Sequence, residues 1–485
     1  MKILYYKDIE FSEVSLQELT SDLRFDADFY QPKYIRALQA VDAAGSVPLG
    51  TLQAEIIHPT EVKRVYSEDG IQILLAQNVR NNALEFSTSV FMPESLRKQL
   101  SRNKLVSHDV LMTRSGANYG QTSYYLDEPK EIFACADCLV IRTKQLNGLY
   151  LSTFLNSIYG KLIIDRGSYG MAQPHIAPSY LYKIPVPVPS GIFQSKIEKL
   201  IKKSYEQKQL AENLYKEAEN LLLLELGLLD WKPDTIRFTH GGREFEVEEN
   251  INKVLMSTAM ASNRIDAEFF SPSSAFIMER LNESGCVELS TATNVNSGYP
   301  WKSSFFLEAG EDGEPFVRIR NCKPGVIDTD QLDRLEADYS IKLKQPKAKH
   351  GDLLVGMDGL KWFYAGLVDA PCYVNQRIAW ISPIQSSQFS SEYLLLIING
   401  IIGQTQLLRR MTIADTVGHI TNQNIRNLLI PILSKFSHDK ITDQVKTSIS
   451  ARTTSRQLLE QAKRAVEIFI EDGEEAALAR LGDCL

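Results

Sequence analysis

The chain has 485 residues, of which 44% are hydrophobic and 23% charged, and its formal net charge is −7. At roughly 100 to 200 residues per domain, this length predicts two to four domains and excludes a single core. The ordinary composition excludes a largely disordered chain, and the acidic balance argues against a protein that coats nucleic acid non-specifically.

Residues Met1 to Glu10 carry Lys2, Lys7, Asp8 and Glu10 and lack the apolar stretch of a signal peptide, so the reading is a cytoplasmic protein. A leading segment, 1–45, contains Arg24-Phe-Asp-Ala-Asp-Phe-Tyr-Gln-Pro32. Its Pro32 suits the first turn of a helix, its Arg and Asp are placed to pair, and its aromatics to dock a neighbouring element. From 46 to 189, short strand-like runs alternate with helices. The runs include Ile71-Gln-Ile-Leu-Leu75, Asp109-Val-Leu-Met112 and Cys138-Leu-Val-Ile141, and Tyr150 to Tyr159 reads as a helix. This is the pattern of a mixed α/β domain. Cys135 and Cys138 sit in the strand-like run Ile132 to Ile141 with no second C-x-x-C and no nearby His, which predicts no metal site. The six cysteines of the chain are expected to be reduced thiols.

Segment 190–226 switches to helical spacing, with Leu200, Ser204, Ala211, Leu214, Ala218 and Leu221 on one face of Gln194 to Leu226. The apolar run Leu221 to Leu224 ends at Glu225, far short of the roughly 20 residues of a membrane span. A connector with turn chemistry follows, including Trp231-Lys-Pro233 and Gly241-Gly242. Segment 227–285 then carries Arg264-Ile-Asp-Ala-Glu-Phe-Phe-Ser-Pro272, with Ser271 as a helix cap. A second mixed α/β domain occupies 286–433, with Arg377-Ile-Ala-Trp-Ile381 among its strands. A second amphipathic helix, His438 to Ile470, lies in 434–485 ahead of an acidic tail, with Ile441, Val445, Ser448, Leu459, Ala462, Val466 and Phe469 on its seam. Either the two helices bury these seams against each other or each packs on its own domain; pairing accounts for both seams at once.

The chain is one unit written twice. The Arg24 and Arg264 strings are 240 residues apart, as are Val47-Pro-Leu49 and Val287-Glu-Leu289. His108-Asp-Val-Leu111 meets Gly351-Asp-Leu-Leu354, and Tyr150, Asn156 and Gly160 meet Tyr393, Asn399 and Gly403, at an offset of 243. His175-Ile176, Pro187 and Lys196-Ile197 meet His419-Ile420, Pro431 and Lys440-Ile441 at 244. A period this long is not a solenoid repeat; each copy is a domain with its own core.

Catalytic signatures are missing. Gly116-Ala-Asn-Tyr-Gly120-Gln lacks the lysine of a phosphate loop, no Pro-Pro dipeptide supports a base-flipping amino-methyltransferase loop, and neither H-E-x-x-H nor G-x-S-x-G occurs. His175 and His419 recur in register with no paired nucleophile or carboxylate nearby in sequence, and read as turn-stabilising residues. Local charge is more informative than the total. Lys161, Arg166 and Lys183 face one Asp165 across 160–183, and Arg409, Arg410 and Arg426 face one Asp415 across 400–427. Acidic residues gather in Asp8 to Asp28, Glu308 to Glu314 and Glu467 to Asp483. Phosphate contacts act within about a Debye length, so such basic patches suffice for DNA.

The duplicated strings, His-Asp-Val-Leu and Gly-Asp-Leu-Leu in register, and Ile184-Pro-Val-Pro187 just before Gln194-x-x-Ile197 resemble the specificity subunits of Type I restriction-modification systems over nearly the whole chain. The resemblance implies an α/β (α+β) fold: a tandem duplication of a mixed α/β target recognition domain, each followed by a long helix, with the two helices pairing as an antiparallel coiled coil that sets the domain separation. It implies double-stranded DNA as ligand, read as a bipartite site. The implied partners are two methyltransferase subunits, with restriction/translocase subunits as further candidates. The chain itself would be non-catalytic, without cofactor, metal or membrane.

Ile430-Pro431-Ile432 departs from the Pro-x-Pro-x-Pro of Pro185 to Pro189, and Asp358 stands where the first copy has Ser115, so the two half-sites are expected to differ. Candidate DNA-reading residues in the first domain are Gln77, Asn78, Arg80, Asn81, Arg114, Asn118, Tyr119, Gln121, Arg166, Ser168, Tyr169 and Gln173. In the second they are Arg318, Arg320, Asn321, Lys323, Lys361, Trp362, Tyr364, Arg409, Arg410, Thr412 and Asn422. Arg320 is expected to meet guanine and Arg409 a phosphate. The competing readings are a protein- or glycan-binding scaffold with paired modules, and a nuclease or methyltransferase with degenerate motifs.

Overall fold

The computed structural model describes all residues except 7–8, 23, 87, 117, 128, 130, 171–173, 231–234, 241–242, 249–255, 258–259, 261–268, 308–310, 330–331, 360–361, 415–416 and 483–485. The chain divides into two compact units, Met1–Lys208 with Thr453–Leu485, and Gln209–Arg452.

In the first unit, the strands Thr122–Tyr124, Val110–Thr113, Cys138–Arg142 and Glu55–Ile57 form an antiparallel sheet in that order. A second sheet joins Phe133–Ala134, Ile71–Leu74 and Val90–Met92. The run read as one strand from Ile132 is thus two. A turn, with Cys138 N–H donating to the Cys135 carbonyl at 3.1 Å, passes the chain from one sheet to the other. Cys135 and Cys138 are both buried and free. The helix expected over Tyr150 to Tyr159 is likewise two helices, Gly148–Asn156 and Ile158–Arg166. Ser157 breaks it by capping the second, its hydroxyl accepting from Gly160 N–H. Gly160 is required at this corner, because a Cβ there would lie 2.1 Å from the Phe154 carbonyl oxygen.

The second unit repeats this plan with more strands. Thr293–Ser297, Ile378–Pro383, Leu353–Gly356, Ala365–Leu367, Gly325–Ile327 and Cys322–Lys323 make one sheet in that order, and a four-stranded sheet stands beside the equivalent turn. The helices Ser391–Asn399 and Ile401–Arg410 meet at the same kind of corner, where a Cβ on Gly403 would lie 2.4 Å from the Ile397 carbonyl. Pro272 opens the helix Pro272–Ser284 with Ser271 as its cap, as Pro32 opens Pro32–Ala43. Part of the connector forms the hairpin Thr235–His240 with Arg243–Glu248; Trp231 to Pro233 and Gly241-Gly242 lie outside the described residues. A further hairpin, Lys2–Tyr6 with Ile9–Glu13, occupies the leading segment.

The long helices run Gly191–Glu225 and Lys435–Asp472, about 50 to 57 Å at 1.5 Å per residue. Parts of both enter each unit, and in each they pair antiparallel. In the first unit, Phe193 lies against Phe469 with ring centroids 5.4 Å apart, and Ser204 Oγ donates to the Ser455 carbonyl at 2.9 Å. In the second, Ser448 Oγ donates to the Ala211 carbonyl at 2.6 Å, and Ser437 Oγ to Glu225 Oε1 at 2.8 Å. Ser204 and Ser448 are register equivalents, as are Ser455 and Ala211, so both copies make the same seam bond. The small seam residues let the backbones approach, and each buried hydroxyl is satisfied by the facing carbonyl. The seams also close the domain cores: Ile197, Leu200, Ala462 and Val466 join the first, and Ala218, Leu222, Ile441 and Val445 the second. No helix among the described residues is long and apolar enough to cross a membrane.

Candidate nucleic-acid interface

The two units share a set of buried polar contacts. Tyr150 Oη donates to the Pro187 carbonyl and Tyr393 Oη to the Pro431 carbonyl, each at 2.9 Å. Burial pushes both phenols above the ordinary tyrosine range. Asn156 Nδ2 donates to the Thr122 carbonyl at 2.8 Å, and Asn399 Nδ2 to the Ala365 carbonyl at 2.9 Å. Buried Asp109 accepts from Val106 N–H and from two nitrogens of Arg142; Asp352 accepts from Lys349 N–H and from Trp380 Nε1. Such buried hydrogen bonds fix one arrangement of the strands.

Several candidate readers belong to this frame. Asn78 and Asn321 are buried register equivalents: each side-chain oxygen accepts from the backbone three residues before it, and each amide donates to a carbonyl seven residues on, Glu85 or Asp328. Arg166, 7% exposed, donates Nε to the Phe29 carbonyl at 3.1 Å and stacks its guanidinium 3.5 Å from the Phe29 ring centre. Arg409 does the same in the second unit, 4.3 Å from the Phe269 ring with Nη1 3.3 Å from the Ser274 carbonyl. Both cations thus clamp the aromatics of the repeated string. Arg24 and Asp26 of that string pair at 2.6 Å; Arg264 to Glu268 lie outside the described residues. Arg410 donates to the Gln406 and Asn427 carbonyls, and burial lowers its pKa. Tyr119 Oη donates to Asp165 Oδ1, Ser168 Oγ to the Asp165 carbonyl, Thr412 Oγ1 to the His419 carbonyl and Asn422 Nδ2 to Ser297 Oγ. Gln121 is half-buried. Gln173 and Lys361 lie outside the described residues.

Other candidates face outward. Gln77, Arg80 and Asn81 are exposed on and beside the tight turn joining Val79–Arg80 to Ala83–Leu84. Arg320 and Lys323 are exposed at the matching place in the second unit. Arg318 and Arg320 share the Asp333 carboxylate. Lys208 and Arg452, register equivalents on the long helices, each donate to a carbonyl of these turns, Leu84 and Pro324. Asn118, Tyr169 and Trp362 are also exposed, and Tyr364 is half-buried.

A second exposed region lies where the central strand pair ends. Arg114 N–H donates to the Asp137 carbonyl at 2.8 Å, and Met357 N–H to the Arg377 carbonyl at 3.0 Å, so the backbone is the same in both copies. The side chains differ. In the first unit Asp137 pairs with Arg64, and Arg114 Nη1 contacts His58 Nε2. In the second, Asp358 accepts from His419 Nδ1 at 2.7 Å and forms an ion pair with Arg377, whose Nε lies 3.0 Å from Oδ2. His419 therefore does have a carboxylate partner, although none lies near it in sequence. The partner is 61 residues away in the chain, and the sheet formed by Asp358–Gly359, Val417–His419 and Thr412–Ala414 brings it close. Arg64, His58 and Arg377 were missed by the sequence analysis. Arg377 is equivalent to Asp137 in the backbone, but at an offset of 240 where the flanking sequence keeps 243, so the charge reversal emerges only from the fold. Among the described residues no group of three or more His, Cys, Asp or Glu is placed to hold a metal ion.

No protein-family model matches the chain, and no curated protein matches it. Solved structures similar to it include the Type-I restriction-modification system S subunit from M. genitalium, with 11% identity, 90% of this chain and 95% of that chain covered, and a TM-score of 0.39. A second is the HsdS subunit from Thermoanaerobacter tengcongensis, with 16% identity, coverage of 90% and 95%, and a TM-score of 0.26. A third comes from work on complex assembly and conformational transition of the type I R-M system, with 14% identity, coverage of 88% and 97%, and a TM-score of 0.28.

Proposed function

We propose that the chain is the specificity subunit of a Type I restriction-modification system. It reads a bipartite site in double-stranded DNA, one half per α/β domain, and directs separate methyltransferase and restriction subunits without catalysing a reaction itself. The observation that carries this reading is the contrast between a set of buried contacts that recurs in both units and exposed side chains that change in charge at equivalent backbone positions. Two copies kept for stability alone have no need of that contrast, whereas two readers of different half-sites require it. The exposed groups are of the types that read base edges and phosphates: arginines, amides and aromatics on turns.

The test is methyl transfer by the full chain with and without a cognate methyltransferase subunit, followed by sequencing of the modified sites. Expected is no transfer by the chain alone and modification of a two-part site by the complex. Transfer by the chain alone, or a complex that modifies no two-part site, overturns the proposal.

A further inference from the structure

Arg377 differs from every other arginine of the second unit described above in how its guanidinium is held. It stands just ahead of the strand Ile378–Pro383, and its N–H donates to Asn375 Oδ1 at 3.1 Å. Its Nε lies 3.0 Å from Asp358 Oδ2 in an ion pair, while the other oxygen of that carboxylate takes His419 Nδ1 at 2.7 Å. Asp358 is largely covered, 19% exposed, whereas the Arg377 side chain is 52% exposed. The ion pair holds the guanidinium beside Asp358, and its Nη1–Nη2 edge has no hydrogen bond to the described residues. Two parallel N–H donors on one planar edge are what the O6 and N7 acceptors of guanine require. By contrast, Arg320 spends Nη2 on Asp333, Arg318 spends Nη1 on the same carboxylate, and Arg409 and Arg410 point theirs at backbone carbonyls.

Building on the DNA-reading proposal above, we propose that Arg377 is the guanine-reading side chain of the second domain, with Asp358 as its positioning residue and His419 holding Asp358 in place. The guanine contact belongs to one half-site only, because the equivalent residue in the first domain is Asp137, a carboxylate already paired with Arg64.

The full chain, assembled with its methyltransferase subunit, is used to select binding sites from randomised duplexes. Arg377→Ala is expected to make one guanine of one half-site degenerate, with affinity for the original site falling about 5- to 150-fold and the other half-site unchanged. Arg377→Lys, which keeps charge but not the fork, should retain a weakened guanine preference at that position. Asp358→Asn should weaken discrimination at the same base and at no other, which a purely structural role would not do. Two results overturn the inference: every base preference persists in Arg377→Ala, or affinity falls on all sequences with the salt slope reduced by about one, the mark of a phosphate contact. If the unaltered complex selects no two-part site, the DNA-reading proposal fails and this one with it. If it does, and the guanine survives in Arg377→Ala, this one alone fails.

Discussion

Replacing Arg166 by Met separates a frame residue from a DNA contact, because the two roles predict opposite readouts. The guanidinium is buried, donates to the Phe29 carbonyl at 3.1 Å and lies 3.5 Å from the Phe29 ring centre. Loss of a hydrogen bond from a charged donor costs about 1.5 to 3 kcal/mol, and loss of a desolvated cation–π contact about 1 to 2 kcal/mol. Met fills much of the vacated volume, so the expected destabilisation is about 2 to 4 kcal/mol in total. For a unit of this size that lowers the melting temperature by roughly 4 to 16 °C. The assay is thermal and denaturant unfolding of the full chain, together with DNA affinity between about 50 and 200 mM salt. The frame role predicts a lower melting temperature with the salt slope unchanged. An unchanged melting temperature with a slope reduced by about one would refute the clamp and restore Arg166 as a phosphate contact. Arg409→Met should behave alike with a smaller loss, since its stacking distance is longer at 4.3 Å.

Ser448→Leu at the helix seam should cost about 1 to 3 kcal/mol through overpacking, against about 1 kcal/mol for Ser448→Ala, as read by denaturant midpoints; equal effects would mean the helices do not meet there. Gly160→Ala and Gly403→Ala should both destabilise, because the added Cβ would press on the Phe154 and Ile397 carbonyls, by about 1 to 3 kcal/mol; a neutral result would refute the corner geometry. Tyr150 and Tyr393 hold their protons in the fold above the ordinary tyrosine pKa of about 10. Their contribution is therefore complete below about pH 10 and declines as pH rises beyond it, by up to about 1.4 kcal/mol per pH unit for each residue. Tyr150→Phe with Tyr393→Phe should flatten the alkaline fall in melting temperature, and an unaltered fall would show that these phenols do not cause it.

Much of this architecture was legible because it rests on local pattern. The repeat, the proline helix starts, the Ser271 cap and the Ser/Ala seams all follow from spacing along the chain. Elements that a single side chain interrupts were not legible: the apolar period runs on through Ser157, and the break appears only when its hydroxyl caps the next helix. The candidate interface was read less well, for a related reason. Asn78 and Asn321 have the composition of exposed turns, but their amides are consumed in closing those turns. Arg166 and Arg409 look like surface cations until the Phe29 and Phe269 rings are brought beneath them from more than 130 residues away. Arg377 is the reverse case, since at the edge of a strand-like run it reads as ordinary, and only the fold supplies Asp358 and His419 to orient it.

The central claim, that each domain reads its own half of the site, is tested most directly by exchanging residues 46–189 for the matching domain of another such subunit and sequencing the methylated sites. The leading string Arg24 to Pro32, the helix Gly191–Glu225 and the second domain stay in place in the exchanged chain. One half-site should be replaced while the other persists unchanged; both half-sites changing together, or neither, would contradict modular recognition.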